Sequence, residues 1–334
     1  MYYKNYICNK PRKVENLKIN LSKSNPLKKN QVRLKILSIG LSYVDILMIK
    51  GTYQHKNQIP FVPGTEACGI IIEEKCDNFR LLNKKAIILS KRGCFSEEII
   101  IELSDLILIS NKMPSYEAAS FFTSSLTSYI ALKETAKIKK DDFILITGAS
   151  GAIGQSSIML SFHFKSKVIC IVSNKRKASL LRKIGVKRVI YLEDDIKKKV
   201  MEYTKNKGVN IILDVNGLLK EKNILSCLTW NGKYLIVGFT NNNITSIKTN
   251  YILIKGIQIF GIRAGEYLRQ NNISTKKRII KDIFRLYKKN VLRIKPFKIK
   301  PFNKLIESLI SIRERKSLGK IVITTKHFDY TENG

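Results

Sequence analysis

The chain has 334 residues, with 61 Lys and Arg against 26 Asp and Glu, a formal charge of +35. Its 44% hydrophobic content can build a core, which excludes a wholly disordered chain. No apolar run reaches the ~20 residues that cross a bilayer, so no membrane insertion is expected. The first residues, MYYKNYICNKPRK, lack the apolar stretch of a secretory signal. Cys8, Cys68, Cys76, Cys94, Cys170 and Cys227 form no C-x-x-C pair, which argues against a disulfide scaffold and suits a reducing cytoplasm.

Residues 32–39 (VRLKILSI) alternate apolar and polar, the period of a half-buried strand. Gly64 and Gly69 punctuate a second strand at 68–73, and further β segments fall at 86–89 and 98–103. Pro114 and Ser115 open a helix, with Ser115 as its N-cap. From there strands alternate with helices. The strands are expected at 143–147, 168–172, 186–191, 209–215 and 233–238, and the helices at 154–165, 175–184, 196–205 and 220–228. This alternation requires right-handed crossovers and a parallel sheet covered on both faces. A strand at 256–261, a helix at 276–289 and a last strand at 320–324 follow, and 328–334 reads as a loose tail. The expected class is α/β: a β-rich domain plus a doubly wound parallel sheet.

The sharpest motif is Thr147-Gly148-Ala149-Ser150-Gly151-Ala152-Ile153-Gly154. It follows an apolar strand and opens an apolar helix. Closely spaced glycines let the backbone turn tightly against a pyrophosphate, and the helix start offers unpaired N–H groups. Ser150, Gly151, Ala152 and Ile153 are therefore expected to hold a dinucleotide. An NAD site ends its second strand in Asp or Glu, to hold the ribose 2′-hydroxyl. Here residues 168–172 lead into Ser173-Asn174-Lys175-Arg176-Lys177, with no acid. A hydroxyl and cations suit a 2′-phosphate, so NADPH is the expected cofactor.

The charge itself has three readings. Lys-rich mutational bias would spread it, a nucleic-acid surface would gather it, and an anionic cofactor or thioester would use part of it. Short groups such as 10–13, 175–177, 197–199 and 276–278 are dispersed, as a solvated surface would be.

Several separated strings then resemble one known family: GLSYVDILMIKGTYQ (40–54), PFVPGTE (60–66), LTSYIAL (126–132), the glycine turn, Asp214 to Gly217, and Gly319-Lys320-Ile321-Val322. Over residues 30–325 the chain resembles the medium-chain dehydrogenase/reductase superfamily. Within it, the chain is most similar to the zinc-independent NADPH:quinone oxidoreductase (zeta-crystallin-like) group. The resemblance implies a GroES-like β-rich catalytic domain at 1–123, a Rossmann NADP-binding domain at 124–262, and completion of the catalytic domain by 263–334. It also implies a homodimer.

Zinc-dependent members carry Cys where Ser42 stands and His where Thr65 stands, so no metal is expected. Without a Lewis acid, hydride delivery to a quinone or an α,β-unsaturated carbonyl (enone) becomes the natural chemistry. The resemblance puts Ser42, Asp45 and Tyr53 at the nicotinamide and substrate mouth. Ser42 replaces the group's usual Asn. Asp45 is read as a hydrogen-bonding carboxylate. Tyr53 either stabilises an oxyanion or lines the pocket. Thr127 is expected near the nicotinamide, Ser173, Lys177 and Tyr191 at the 2′-phosphate, and Asn216, Gly238, Phe239 and Ile262 along the nicotinamide half. Two alternatives stay open: an enoyl-thioester reductase, and a single-stranded nucleic-acid-binding protein on a dehydrogenase scaffold.

Overall fold

The computed structural model describes residues 2–54, 56–77, 80–218, 224–240, 244, 246–247 and 249–328. The chain divides into two compact units, Met1–Phe122 with Lys295–Gly334, and Thr123–Ile294. In chain order the first strands are β1 (Tyr2–Ile7), β2 (Lys18–Lys23), β3 (Gln31–Gly40), β4 (Glu66–Lys75), β5 (Lys85–Leu89), β6 (Glu98–Glu102) and β7 (Leu106–Leu108). The middle strands are β8 (Phe143–Ile146), β9 (Lys167–Val172), β10 (Arg188–Tyr191), β11 (Val209–Asp214), β12 (Leu228–Ile236) and β13 (Gln258–Gly261). The last two are β14 (Lys298–Pro301) and β15 (Ile321–Thr324).

The first unit is built around β3, in a sheet ordered β14-β15-β3-β4-β5-β7, with β6 also on β3. The expected alternation along β3 becomes nearly continuous burial, because the strand is covered on both faces. Its polar residues are paired to permit this. Arg33 Nε lies 2.6 Å from Glu73 Oε2, and the hydroxyls of Ser38 and Ser115 are 2.9 Å apart. The hairpin β1–β2 went unread in the sequence. So did the helix Tyr43–Lys50, whose Asp45, Ile46, Met48 and Ile49 are all buried and leave little amphipathic signal. The core joins Leu34, Ile36, Ile46, Ile49 and Phe95 to Leu305, Leu309, Ile321 and Ile323 from the far end of the chain. Each such burial contributes roughly 1.5–3 kcal/mol. Phe328, expected in a loose tail, is buried instead, with its N–H on the Thr325 carbonyl at 3.2 Å. Residues 329–334 lie outside the described residues.

The second unit is a parallel sheet in the order β10-β9-β8-β11-β12-β13. This is the doubly wound order, with its reversal between β8 and β11. The expected helix at 220–228 is corrected where it is described: 224–227 form a 3-10 turn and Leu228 already starts β12. The rest of that expected helix, 220–223, is outside the described residues. The second unit also runs past the expected boundary at 262. The helix Ile273–Lys288 turns Ile279, Ile283 and Leu286 inward at helical spacing. Its Asp282 accepts from the Tyr129 hydroxyl at 2.8 Å, and its Arg278 grips both oxygens of Glu134 at 2.9 and 2.7 Å.

Candidate active site

In the second unit, parallel register brings the ends of all six strands to one edge. The turn 147–151 follows β8, and β11 ends at Asp214 beside it. Gly148 takes φ +60, and a Cβ there would meet Asn216 Oδ1 at 2.7 Å, so glycine is required. A Cβ on Gly154 would sit 2.5 Å from both Ala149 Cα and Gly148 O, which sets the close packing of helix on turn. The helix Ala152–His163 starts after Gly151 with no side chain capping it. The first N–H groups of a helix lack intrahelical partners, so Ala152 and Ile153 offer donors to an anion. Ser150 turns its carbonyl inward to Gln155 Nε2 at 2.9 Å. This glycine-lined, uncapped helix start fits the pyrophosphate of a nicotinamide dinucleotide.

The buried carboxylate of Asp214 organises this edge, a role the sequence did not reveal. It accepts from Thr147 Oγ1 at 2.6 Å, the Tyr234 hydroxyl at 2.6 Å, and the N–H groups of Asn216, Gly217 and Leu218 at 3.1, 2.9 and 3.0 Å. Burial and the neighbouring carboxylate push the Tyr234 phenol well up, so it stays a donor. Asn216 is thereby fixed, and its side-chain oxygen accepts from Thr240 Oγ1 at 2.9 Å. Gly238 and Phe239 follow β12 after Val237; a Cβ on Gly238 would meet Val215 O at 3.3 Å. Ile262 is buried, with its N–H on Ile236 O at 2.8 Å. These four residues therefore share one end of the sheet.

At the end of β9, Lys177 Nζ donates to Ser173 Oγ at 3.0 Å. Asn174 caps the helix Lys175–Lys183 through the Lys177 N–H, which directs the first turn back toward the strand end. Tyr191 pairs with Val172 in register, so it stands on the adjacent strand end beside Ser173. The three expected phosphate residues are thus brought together. Thr127 differs: its hydroxyl turns back to Thr123 O in its own helix at 2.8 Å. The neighbouring Ser128, which the sequence did not single out, reaches the turn helix at Ile153 O, 3.1 Å away.

In the first unit, the Ser42 N–H donates to Asp45 Oδ2 at 2.8 Å, and Thr65 Oγ1 donates to Asp45 Oδ1 at 2.9 Å. Asp45 is fully buried. Burial raises its carboxyl to about 6, opposed by Lys320, the Ser42 N–H and Thr65. Two further members went unread. Lys320 Nζ lies 2.8 Å from Glu66 Oε2 and donates to Ser42 Oγ at 2.8 Å. A charged residue at the head of the apolar strand 321–324 was the available signal. Tyr53 follows the helix Tyr43–Lys50 with its N–H on Leu47 O at 3.2 Å, and its ring is half-buried. No hydrogen bond among the described residues joins its hydroxyl to Ser42 or Asp45.

Of the histidines, His55 is outside the described residues, while His163 stacks edge-on to Phe164 at 5.3 Å. Burial lowers the affinity of His163 and of His327 for a proton. Among the described residues, no three His, Cys, Asp or Glu side chains gather into a metal-holding group. Nor is any helix among them long and apolar enough to cross a membrane.

A doubly wound sheet with a glycine turn at its reversal, preceded by a mainly antiparallel β unit that the chain's end completes, defines a dinucleotide-dependent dehydrogenase of the two-domain type. Comparison with known proteins agrees. Residues 28–108 match the family model "Alcohol dehydrogenase GroES-like domain", and residues 152–280 match "Zinc-binding dehydrogenase". The quinone oxidoreductase-like protein 2 homolog of Nematostella vectensis is 32% identical over 97% of this chain and 89% of its own. A Pseudomonas syringae quinone oxidoreductase shares the fold with TM-score 0.87 at 18% identity, over 96% of this chain and 99% of that one. A mycobacterial protein solved in complex with NADPH does so with TM-score 0.87 at 19% identity, over 96% and 99%. The chain belongs to the medium-chain dehydrogenase/reductase superfamily, among its quinone oxidoreductase-like members.

Proposed function

We propose that the protein is an NADPH-dependent reductase that delivers hydride to a quinone or to the activated C=C of an enone. The observation that carries this reading is the Ser173–Lys177 pair at the end of β9, with Tyr191 beside it, where an NAD site would place an acid. A phosphomonoester there gains charge-assisted hydrogen bonds from Lys177 and a donor from Ser173. The N–H groups of Ala152 and Ile153 hold the pyrophosphate. Asn216, Gly238, Phe239 and Ile262 flank the nicotinamide half. When bound, the cofactor supplies hydride; the chain's part is to hold it, orient it and keep water away. The quinone oxidoreductase names of relatives in this group support the acceptor class.

Thermal shift with NADPH and NADH, followed by NADPH consumption against quinones, enones and a crotonyl thioester, tests the reading. Stabilisation by NADPH above NADH, with turnover of a quinone or enone, is the expected outcome. No shift with NADPH sinks it, and turnover of the thioester alone transfers it to an enoyl-thioester reductase. The reading includes a homodimer, supported by exposed Trp230 and Leu253 near the edge strand β13. A monomeric mass by light scattering would remove that part.

A further inference from the structure

The hairpin of β1 and β2 is built inside out. Cross-strand partners and alternate residues share a face, so Tyr2, Lys4 and Tyr6 stand on one side of it with Ile19, Leu21 and Lys23. A surface hairpin ordinarily turns its apolar side chains inward and its polar ones to water. Here Asn5 is buried and Asn20 and Ser22 are half-buried on the inner side. Tyr2, Ile19 and Leu21 are 60, 53 and 61% exposed on the outer one. A slip of one residue in pairing would exchange the faces of β2 and turn Ile19 and Leu21 inward. The inner polar groups oppose that slip: the Ser22 hydroxyl oxygen accepts from Asn5 Nδ2 at 2.7 Å and from Asn20 Nδ2 at 3.0 Å.

The hairpin is anchored along β1. The Tyr6 N–H donates to Phe95 O at 2.8 Å, and the Glu97 N–H donates to Lys4 O at 2.9 Å. The Tyr6 ring lies 5.0 Å from that of Phe302, with its hydroxyl on Phe302 O at 3.1 Å, so that end of the outer face is covered. Among the described residues, no strand pairs with the far edge of β2. On the open part of the face, apolar and cationic side chains alternate in both directions: Lys23 stands opposite Tyr2, and Leu21 opposite Lys4. Residues 2–23 hold Lys4, Lys10, Arg12, Lys13, Lys18 and Lys23, all exposed, against the single acid Glu15. Arg313 already holds Glu15 at 2.7 and 3.0 Å. Glu97, the acid beside Lys4, is buried and accepts from the Lys4 N–H and from Lys326 Nζ, both at 2.9 Å.

We propose that this face is a peripheral docking surface for an anionic lipid bilayer. Tyr2, Ile19 and Leu21 enter the interfacial layer, and Lys4 and Lys23 stay at the lipid phosphates. Apolar side chains that leave water for the acyl boundary gain what burial in a core would have given them. A lysine stem lies along such a surface while its ammonium keeps to the charged headgroups, and each cation adds attraction to an anionic leaflet. Charge complementarity selects this occupant. A second copy of the same face would set lysine against lysine. A nucleic acid would use the cations and leave Ile19 and Leu21 in water. A bilayer alone takes both kinds of side chain in the alternation found here. This surface stands apart from cofactor and acceptor, so it holds whether or not the protein is a reductase.

Co-sedimentation of the full chain with vesicles of equal parts phosphatidylcholine and phosphatidylserine, against phosphatidylcholine alone, tests this. Binding to the mixed vesicles only is expected, weakening as salt rises. A chain of charge +35 is drawn to any anion, so the variants must separate this face from the total. Ile19→Ser with Leu21→Ser keeps the charge and alters only exposed side chains. It should weaken vesicle binding about 10- to 100-fold with unchanged thermal unfolding. Lys4→Gln with Lys23→Gln should weaken binding about 10-fold or more. Lys277→Gln with Lys281→Gln, the same loss of charge on the helix Ile273–Lys288, should weaken it less than about 3-fold. Should the serine pair fail to fold, Leu21→Trp with Trp230→Phe places the only tryptophan on this face, and its emission should shift to the blue on the mixed vesicles. No binding, full binding by the serine pair, an equal loss in the Lys277/Lys281 protein, or no emission shift overturns the proposal. Capture of soluble poly-glutamate that depends on Ile19 and Leu21 also overturns it, giving the face to an acidic protein segment.

Discussion

The two polar groupings of this molecule are built in opposite ways. The nucleotide edge of the second unit uses backbone N–H groups, glycines and exposed side chains, all close in sequence to the strand that presents them. The cluster of the first unit joins the buried charged residues at 45, 66 and 320 to hydroxyls at 42 and 65, brought together only when β15 pairs with β3. A site for a polyanion from solvent can leave its cations outside. The +35 charge belongs to neither design as a whole. Lys177, in the first turn of the helix Lys175–Lys183, is the one lysine the proposed cofactor reading uses, and the total does not distinguish it.

The largest expected effect tests how far the nucleotide edge depends on its hidden support. Asp214→Ala leaves five donors without their acceptor and should destabilise the second unit by about 3–5 kcal/mol. Thermal unfolding reads this, and a change under 1 kcal/mol would show that the turn holds itself. Next is Gly154→Ala, whose methyl would overlap the turn backbone at 2.5 Å. A loss of about 2–4 kcal/mol, with weakened cofactor binding, is expected.

The first unit answers to pH instead. Asp45 has an ordinary carboxyl value of 3.8 but is raised to about 6 by burial. Between those values the folded chain holds a proton that the unfolded chain has released. The stability due to Asp45 is therefore full below about pH 4 and declines as pH rises through 6. Relative to Asp45→Asn, the unaltered protein should lose about 2 kcal/mol between pH 4 and 7, measured by denaturant unfolding at each pH. A parallel pair of curves would remove burial as the dominant influence on this group.

What the sequence made legible follows the same division. Apolar runs at 143–147, 168–172 and 209–215 announced β8, β9 and β11, because a strand buried on both faces must be apolar throughout. The glycine turn was legible because φ +60 at Gly148 and the tight contact at Gly154 exclude other residues. Ser173 and Lys177 could be read together because they are four residues apart at a helix start. Glu66 and Lys320 stood inside quoted strings, yet their pairing could not be read. Nothing local tells that two charges 254 positions apart meet in the core, and only the tertiary pairing of β3 with β15 settles it. Likewise the helix Tyr43–Lys50 buries Asp45 among Ile46 and Ile49, which hides the usual contrast between faces.

Titration of NADPH and NADH into the unaltered protein and into Lys177→Ala tests the central claim most directly. The expected result is preference for NADPH in the unaltered protein, a 10- to 100-fold loss of NADPH affinity in the variant (about 1.4–2.7 kcal/mol), and no change with NADH. Equal affinity for the two cofactors in the unaltered protein, or an equal loss for both in the variant, would contradict it.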